Sequence, residues 1–91
     1  MKKALIGHVA VDSGTLMICD PSYIGHEINK DRIEEIWEAT DGPERGGNVY
    51  FTRGHVGAAV AFRSGYGDGV YPAYAHYNKD GRVVKVEIDM G

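Results

Sequence analysis

The chain has 91 residues, 43% hydrophobic and 25% charged, a composition that suits a single folded domain (residues 1–91) and does not indicate disorder. Its 13 acidic against 10 basic side chains leave a net charge of −3, which gives no reason to expect the phosphate-neutralising surface that double-stranded nucleic acid demands. No apolar stretch reaches bilayer length, and the single cysteine, Cys19, excludes an internal disulfide and has neither zinc nor Cys-x-x-Cys spacing.

A chain this short buries only about 60 to 65% of the surface that its unfolded form exposes, so self-association into a homo-oligomer is expected as a way to bury more. Met1-Lys2-Lys3 is not followed by the apolar segment and cleavage site of a signal peptide, and a cytoplasmic location is expected.

In chain order, Lys3 to Val11 reads as a strand closed by the turn Asp12-Ser13-Gly14. Thr15 to Cys19 is a short apolar run, expected to form a strand buried on both faces and to pair with the first as a hairpin. Cys19 reads as a buried small hydrophobe. Asp20-Pro21 then ends the ladder.

From Asn29 to Thr40 the apolar period changes to three and four. Ile33, Ile36, Trp37 and Thr40 share a stripe, which predicts an amphipathic helix over residues 31–40. Asp31 with Glu34 forms an Asp capping box, and Asp41-Gly42-Pro43 stops the helix. Trp37 is the expected core anchor, at about 3 to 5 kcal/mol for its loss to alanine.

Glu44 to Gly47 reads as a loop. Asn48 to Arg53 and His55 to Arg63 read as strands joined through Gly54, the second with Gly57, Ala59 and Ala61 making a small face that another layer can approach. Val70 to Tyr77 and Arg82 to Met90 flank Asp80-Gly81 as a hairpin, and alternation in the last run predicts one wet face. The sum is an α+β fold, a small antiparallel sheet or sandwich of about six strands with one amphipathic helix.

The segment Ser64 to Tyr74, Ser-Gly-Tyr-Gly-Asp-Gly-Val-Tyr-Pro-Ala-Tyr, concentrates backbone freedom, one carboxylate and flat amphipathic rings. Its N–H groups could form an anion-binding nest, although neither the dinucleotide fingerprint nor a phosphate-loop Lys-Ser/Thr is present, and no cofactor is expected. The structural alternative is a plain turn in which Asp68 caps its own backbone.

The order Val-Asp-Ser-Gly, Ile-Cys-Asp-Pro-Ser-Tyr, Gly-Asp-Gly-Val-Tyr-Pro-Ala-Tyr and Asp-Gly-Arg-Val-Val-Lys-Val resembles the bacterial and phage family called domain of unknown function 4241. The likeness runs over residues 11–23 and 64–88 and implies a shared pocket motif without naming a reaction. It points to Asp12, Ser13, Gly14, Asp20, Pro21, Tyr23, Gly67, Asp68, Gly69 and Tyr71. For a phage-encoded chain the cytoplasm would be the host's.

The ligand-binding residues expected are Asp12, Ser13, Asp20, Tyr23, Gly65, Tyr66, Gly67, Asp68, Gly69 and Tyr71, with Asp20 and Asp68 as converging carboxylates. His8, His26, His55 and His76 are too dispersed for a zinc site, no calcium-loop spacing occurs, and no metal is expected. Ser13 and Ser22 lack a nucleophile-elbow context.

The favoured reading is a non-catalytic module binding a small polar or anionic ligand, such as a sponge for a nucleotide-derived signal. The alternatives are a hydrolase or phosphodiesterase using Asp20 and Asp68 as an acid-base pair, aided by His76 or a divalent ion, and an interaction protein whose glycine loop is structural.

Overall fold

Two three-stranded antiparallel sheets and one helix are formed by the residues that this computed structural model describes, 2–25, 33–52 and 56–91. In order they are β1 (Lys2–Val11), β2 (Thr15–Cys19), a 3-10 turn (Pro21–Tyr23), α1 (Ile33–Thr40), β3 (Gly46–Val49), β4 (Ala59–Arg63), β5 (Gly69–Tyr77) and β6 (Val83–Ile88). The described residues adopt the expected α+β class, with six strands and one helix. The strands divide between two compact units, one made of Met1–Gly14 and Ser64–Gly91 and the other of Thr15–Arg63.

In the first unit the sheet order is β1-β5-β6. β1 pairs with β5 from Val11 opposite Gly69 to Lys2 opposite Tyr77, with an irregularity between Leu5 and Gly7 that leaves Ile6 as an extra residue. β1 and β2 therefore do not form the expected hairpin. Each finds a partner far away in sequence, because the turn between them is held by the segment that precedes β5, as described below. The hairpin around Asp80-Gly81 is present. Asn78 Oδ1 accepts the amides of Asp80 and Arg82, both at 3.0 Å, and Gly81 takes the positive φ of +80° that the turn requires.

One face of this sheet centres on Ala73 and Ala75, both buried, with Gly7 and Ala4 opposite them on β1. The other carries Lys3, Tyr74, His76 and Glu87. The expectation of one covered and one wet face in the last strand is not met. Val84 and Val86 are 54% and 55% exposed, so the apolar side of β6 is open as well.

The second unit has the order β2-β4-β3, with α1 packed on β3 and β4. Its core is Val49, Phe51, Ala58, Ala59 and Ala61, covered by Met17, Cys19, Ile36 and Ala39. The small face of β4 is thus the inner one. Ala59 and Ala61 are buried, whereas Val60 is 40% exposed, and the layer that approaches them is the helix.

Close approach of α1 to Gly47 and of β4 to Gly46 also explains why these two glycines, expected in a loop, belong to a strand. A Cβ on Gly47 would stand 3.1 Å from the carbonyl oxygen of Ala39, and one on Gly46 would stand 3.0 Å from that of Ala61. β2 lies at the edge and is not buried on both faces, since Ile18 is 53% exposed, and Cys19 is half-buried.

Trp37 is not the core anchor. It is 37% exposed at the flank of the stripe, and the inward positions are Ile36, Ala39 and the fully buried Thr40. Thr40 Oγ1 donates to the Trp37 carbonyl at 2.9 Å, and Arg63 closes the helix end, its Nε donating to the Thr40 carbonyl and its Nη2 to Asp41. The Asp31 capping position, His26, the Gly54 connection and His55 lie outside the described residues. Among the described residues no helix is long and apolar enough to cross a membrane.

Glu35, which reads in the sequence as surface decoration, has a structural task. Its carboxylate accepts the amides of Tyr50 at 2.8 Å and of Phe51 at 3.0 and 3.1 Å. Phe51 is buried at a φ of +51°, a left-handed conformation disfavoured for a bulky residue, and this is where the expected strand from Asn48 ends early. Charge-assisted bonds to two successive amides fix that bend. Glu35→Ala should therefore lower unfolding stability by about 2 kcal/mol, whereas Trp37→Ala should cost less than about 3 kcal/mol, both read from urea denaturation.

Candidate functional site

The glycine-rich segment and the Asp12-Ser13-Gly14 turn meet in the first unit. Gly14, at φ +68°, donates its N–H to Asp68 Oδ1 at 2.8 Å, and its carbonyl accepts the N–H of Ser64 at 3.0 Å. One residue is thereby held on both sides by a segment 50 to 54 positions further along the chain. Asp68 does not cap its own backbone, as a plain turn would have it, but caps the other turn.

Ser64 is buried and lies within reach of two carbonyls, at 2.6 Å from Gly67 and 3.2 Å from Gly14. A hydroxyl has one proton, so it goes to the nearer oxygen and the Ser64 amide serves Gly14. The Gly67 carbonyl also accepts the phenol of Tyr71 at 2.7 Å, and the Gly67 amide donates to the Ser64 carbonyl at 3.3 Å. Gly67 adopts φ +90°, which only glycine takes without strain. Gly69 leaves room for the Tyr71 ring, since a Cβ there would lie 3.2 Å from Cζ and the hydroxyl oxygen.

These bonds make a latch whose polar groups are mostly used internally. What remains outward is specific. Tyr66 is 82% exposed, with Gly91 lying against its ring, where a Cβ would come within 2.6 Å of Cε2. Asp68 uses Oδ1 on Gly14 and, among the described residues, Oδ2 has no partner. Asp12 is exposed beside Ser13, and Gly65 is open. The arrangement can present a flat ring and carboxylate acceptors to solvent.

Of the other expected residues, Asp20 and Tyr23 belong to the second unit. Asp20 Oδ1 accepts the Ser22 amide at 2.9 Å, and its carbonyl accepts the Tyr23 amide at 3.0 Å, so it is the N-cap of the 3-10 turn. The structure thus brings Asp12, Ser13, Gly65, Tyr66, Gly67, Asp68, Gly69 and Tyr71 to one end of the first unit.

His76 lies on the wet face of the same sheet. Its Nε2 is 2.9 Å from Glu87 Oε1, and Lys3 Nζ donates to Glu87 Oε2 at 3.3 Å while sitting 4.5 Å from the centroid of the Tyr74 ring. The group bridges all three strands. Glu87 is a contributor that local sequence does not single out. It reaches His76 through a strand register that no local motif encodes. Among the described residues no three His, Cys, Asp or Glu side chains are grouped as a metal ion would need.

The hydrogen bond from His76, followed by that from Lys3, holds the Glu87 carboxyl below its ordinary value of 4.5. A carboxylate with a depressed folded value stabilises fully above its unfolded range and loses that contribution as pH falls through the folded value. Glu87→Gln is accordingly expected to lower the melting temperature at neutral pH, and the melting temperatures of variant and parent should converge as the pH is taken below 4.5. A difference that stays constant across the titration would remove the assignment.

The family described as "Protein of unknown function (DUF4241)" matches residues 6–88, and the chain belongs to it. No curated protein and no solved structure matches it.

Proposed function

We propose that this member of the family is a non-catalytic, homo-oligomeric binding module whose ligand docks at the latch end of the first unit. The observation that carries the reading is Tyr66, which stands 82% exposed on a segment pinned by hydrogen bonds on either side of it. An aromatic ring held out on an ordered loop is a stacking surface prepared at low entropic cost. Beside it, Asp68 Oδ2 and Asp12 would accept hydrogen bonds from amine or hydroxyl groups.

The charge of the site favours the polar over the anionic alternative. The amides of Gly14, Ser64 and Gly67 are engaged inside the latch, and the ionisable groups beside it are carboxylates. A nucleotide-derived signal would therefore enter with its base or ribose on Tyr66 and its phosphates directed away, which suits a sponge in the cytoplasm, the host's for a phage-encoded chain. His76, with Nε2 engaged by Glu87, lends support to binding without turnover.

Thermal shift and calorimetric titration with adenosine, ADP-ribose and cyclic dinucleotides test the reading. A ligand at 100 times its Kd should add about 2.7 kcal/mol to stability. Tyr66→Ala and Asp68→Asn should each weaken binding about tenfold, the second keeping an acceptor for the Gly14 amide and so the latch. The ligand should be recovered intact after incubation with magnesium. Absence of any shift across the panel would remove the proposal, and hydrolysed ligand would replace binding by turnover.

A further inference from the structure

β6 is an edge strand, and its outer side has no partner among the described residues. Val83, Val84 and Val86 on it are each more than half exposed. Unpaired apolar edges template the addition of another strand, and proteins normally blunt them. β1, the opposite edge, is blunted by Lys2, Lys3 and the extra residue at Ile6. β6 is left open over its regular stretch Lys85–Ile88, beyond the irregularity opposite His76 and Tyr77.

We infer that β6 is the homodimer interface, pairing antiparallel with β6 of a second copy about a two-fold axis through Val86. This rests on the homo-oligomeric part of the proposed function and adds the surface and the register. Two independent features of the strand select that register.

The first is main-chain direction. The Asp89 amide donates to the Pro72 carbonyl at 3.1 Å, and successive residues of a strand point their N–H and C=O groups to opposite edges. Lys85 and Glu87 therefore aim theirs at β5, where they stand opposite His76 and Tyr74, and Val86 and Ile88 aim theirs at the open edge. An axis through Val86 sets outward groups against outward groups.

The second is side-chain complementarity. About that axis Lys85 lies opposite the second copy's Glu87 and Glu87 opposite its Lys85, so one register makes two ion pairs on the wet face. On the other face Val86 meets Val86 of the second copy, and Val84 and Ile88 flank it. Moving the axis by one residue sets Lys85 against Lys85 or Glu87 against Glu87, and directly opposed like charges destabilise a sheet. Only one register satisfies both requirements. It joins two three-stranded sheets across their open edges and gives Val84 and Val86 cross-strand apolar neighbours.

The test is sedimentation of the full chain over a range of concentrations, for the parent and three variants. The parent should show a monomer–dimer equilibrium. Lys85→Glu places like charges at both symmetry-related contacts and should raise the dimer Kd roughly tenfold or more. Lys85→Gln removes the attraction without adding repulsion and should raise it by a smaller factor. Val86→Pro removes an amide that β5 does not use and should abolish the dimer while circular dichroism shows an intact fold. Should that variant not fold, the charge pair decides alone. A parent that stays monomeric at all concentrations overturns the interface and the homo-oligomer together, while ligand titration of the same sample tests the latch independently. A dimer untouched by Lys85→Glu overturns the interface alone, as does a dimer weakened as much by Lys85→Gln as by Lys85→Glu.

Discussion

The 2.8 Å bond from the Gly14 amide to the Asp68 carboxylate joins positions 54 residues apart, and the first unit depends on it. The bond stands just beyond the last pair of the β1–β5 ladder, Val11 with Gly69, so it fixes where that ladder begins. Once that end is set, each following pair is determined down to Lys2 with Tyr77, apart from the single irregularity at Ile6. Ser64 and Tyr71 secure the carboxylate's own segment through the Gly67 carbonyl. A charged acceptor is suited to the task, because bonds to an ionised group are about twice as strong as neutral ones.

The same ladder separates charge. Asp12 and Asp68 stand at the latch end, and Lys2, Lys3, Lys79, Arg82 and Lys85 gather toward the hairpin end with Asp80 and Glu87 among them. A chain of net charge −3 thus contains a unit with acidic and basic ends, a distinction that the overall balance conceals. What the latch end presents to solvent is set by its local carboxylates and the exposed Tyr66 ring, not by the net charge.

Much of the fold is legible in the sequence, and the reasons for the rest are physical. Strands with alternation or β-branched runs, such as Lys3 to Val11 and Val70 to Tyr77, declare themselves, as does the Asp80-Gly81 turn. Pairing does not. Asp12-Ser13-Gly14 has the composition of a hairpin turn, and nothing near it discloses that its amide is claimed by Asp68. Gly46 and Gly47 look like loop residues because their use depends on how closely β4 approaches the first and α1 the second. Trp37 has the size of an anchor, but the small face of β4 favours Ile36 and Ala39 in the narrow gap. At the candidate site, residue types single out Asp12 to Gly14 and Ser64 to Tyr71, two segments that hydrogen-bond to each other in the first unit. Asp20 belongs to a different local structure, where it caps a 3-10 turn.

The long separation within the β1–β5 ladder bears on how the chain is made. β1 is synthesised first, yet β5, its partner in the sheet, emerges on the order of several seconds later at ordinary ribosomal rates. In that interval the contiguous segment Thr15–Arg63 can acquire its own core, while β1 waits as an unpaired apolar strand. Lys2, Lys3 and the irregularity at Ile6 then act as gatekeepers of a nascent chain, keeping its first strand from joining the wrong neighbour before the right one exists.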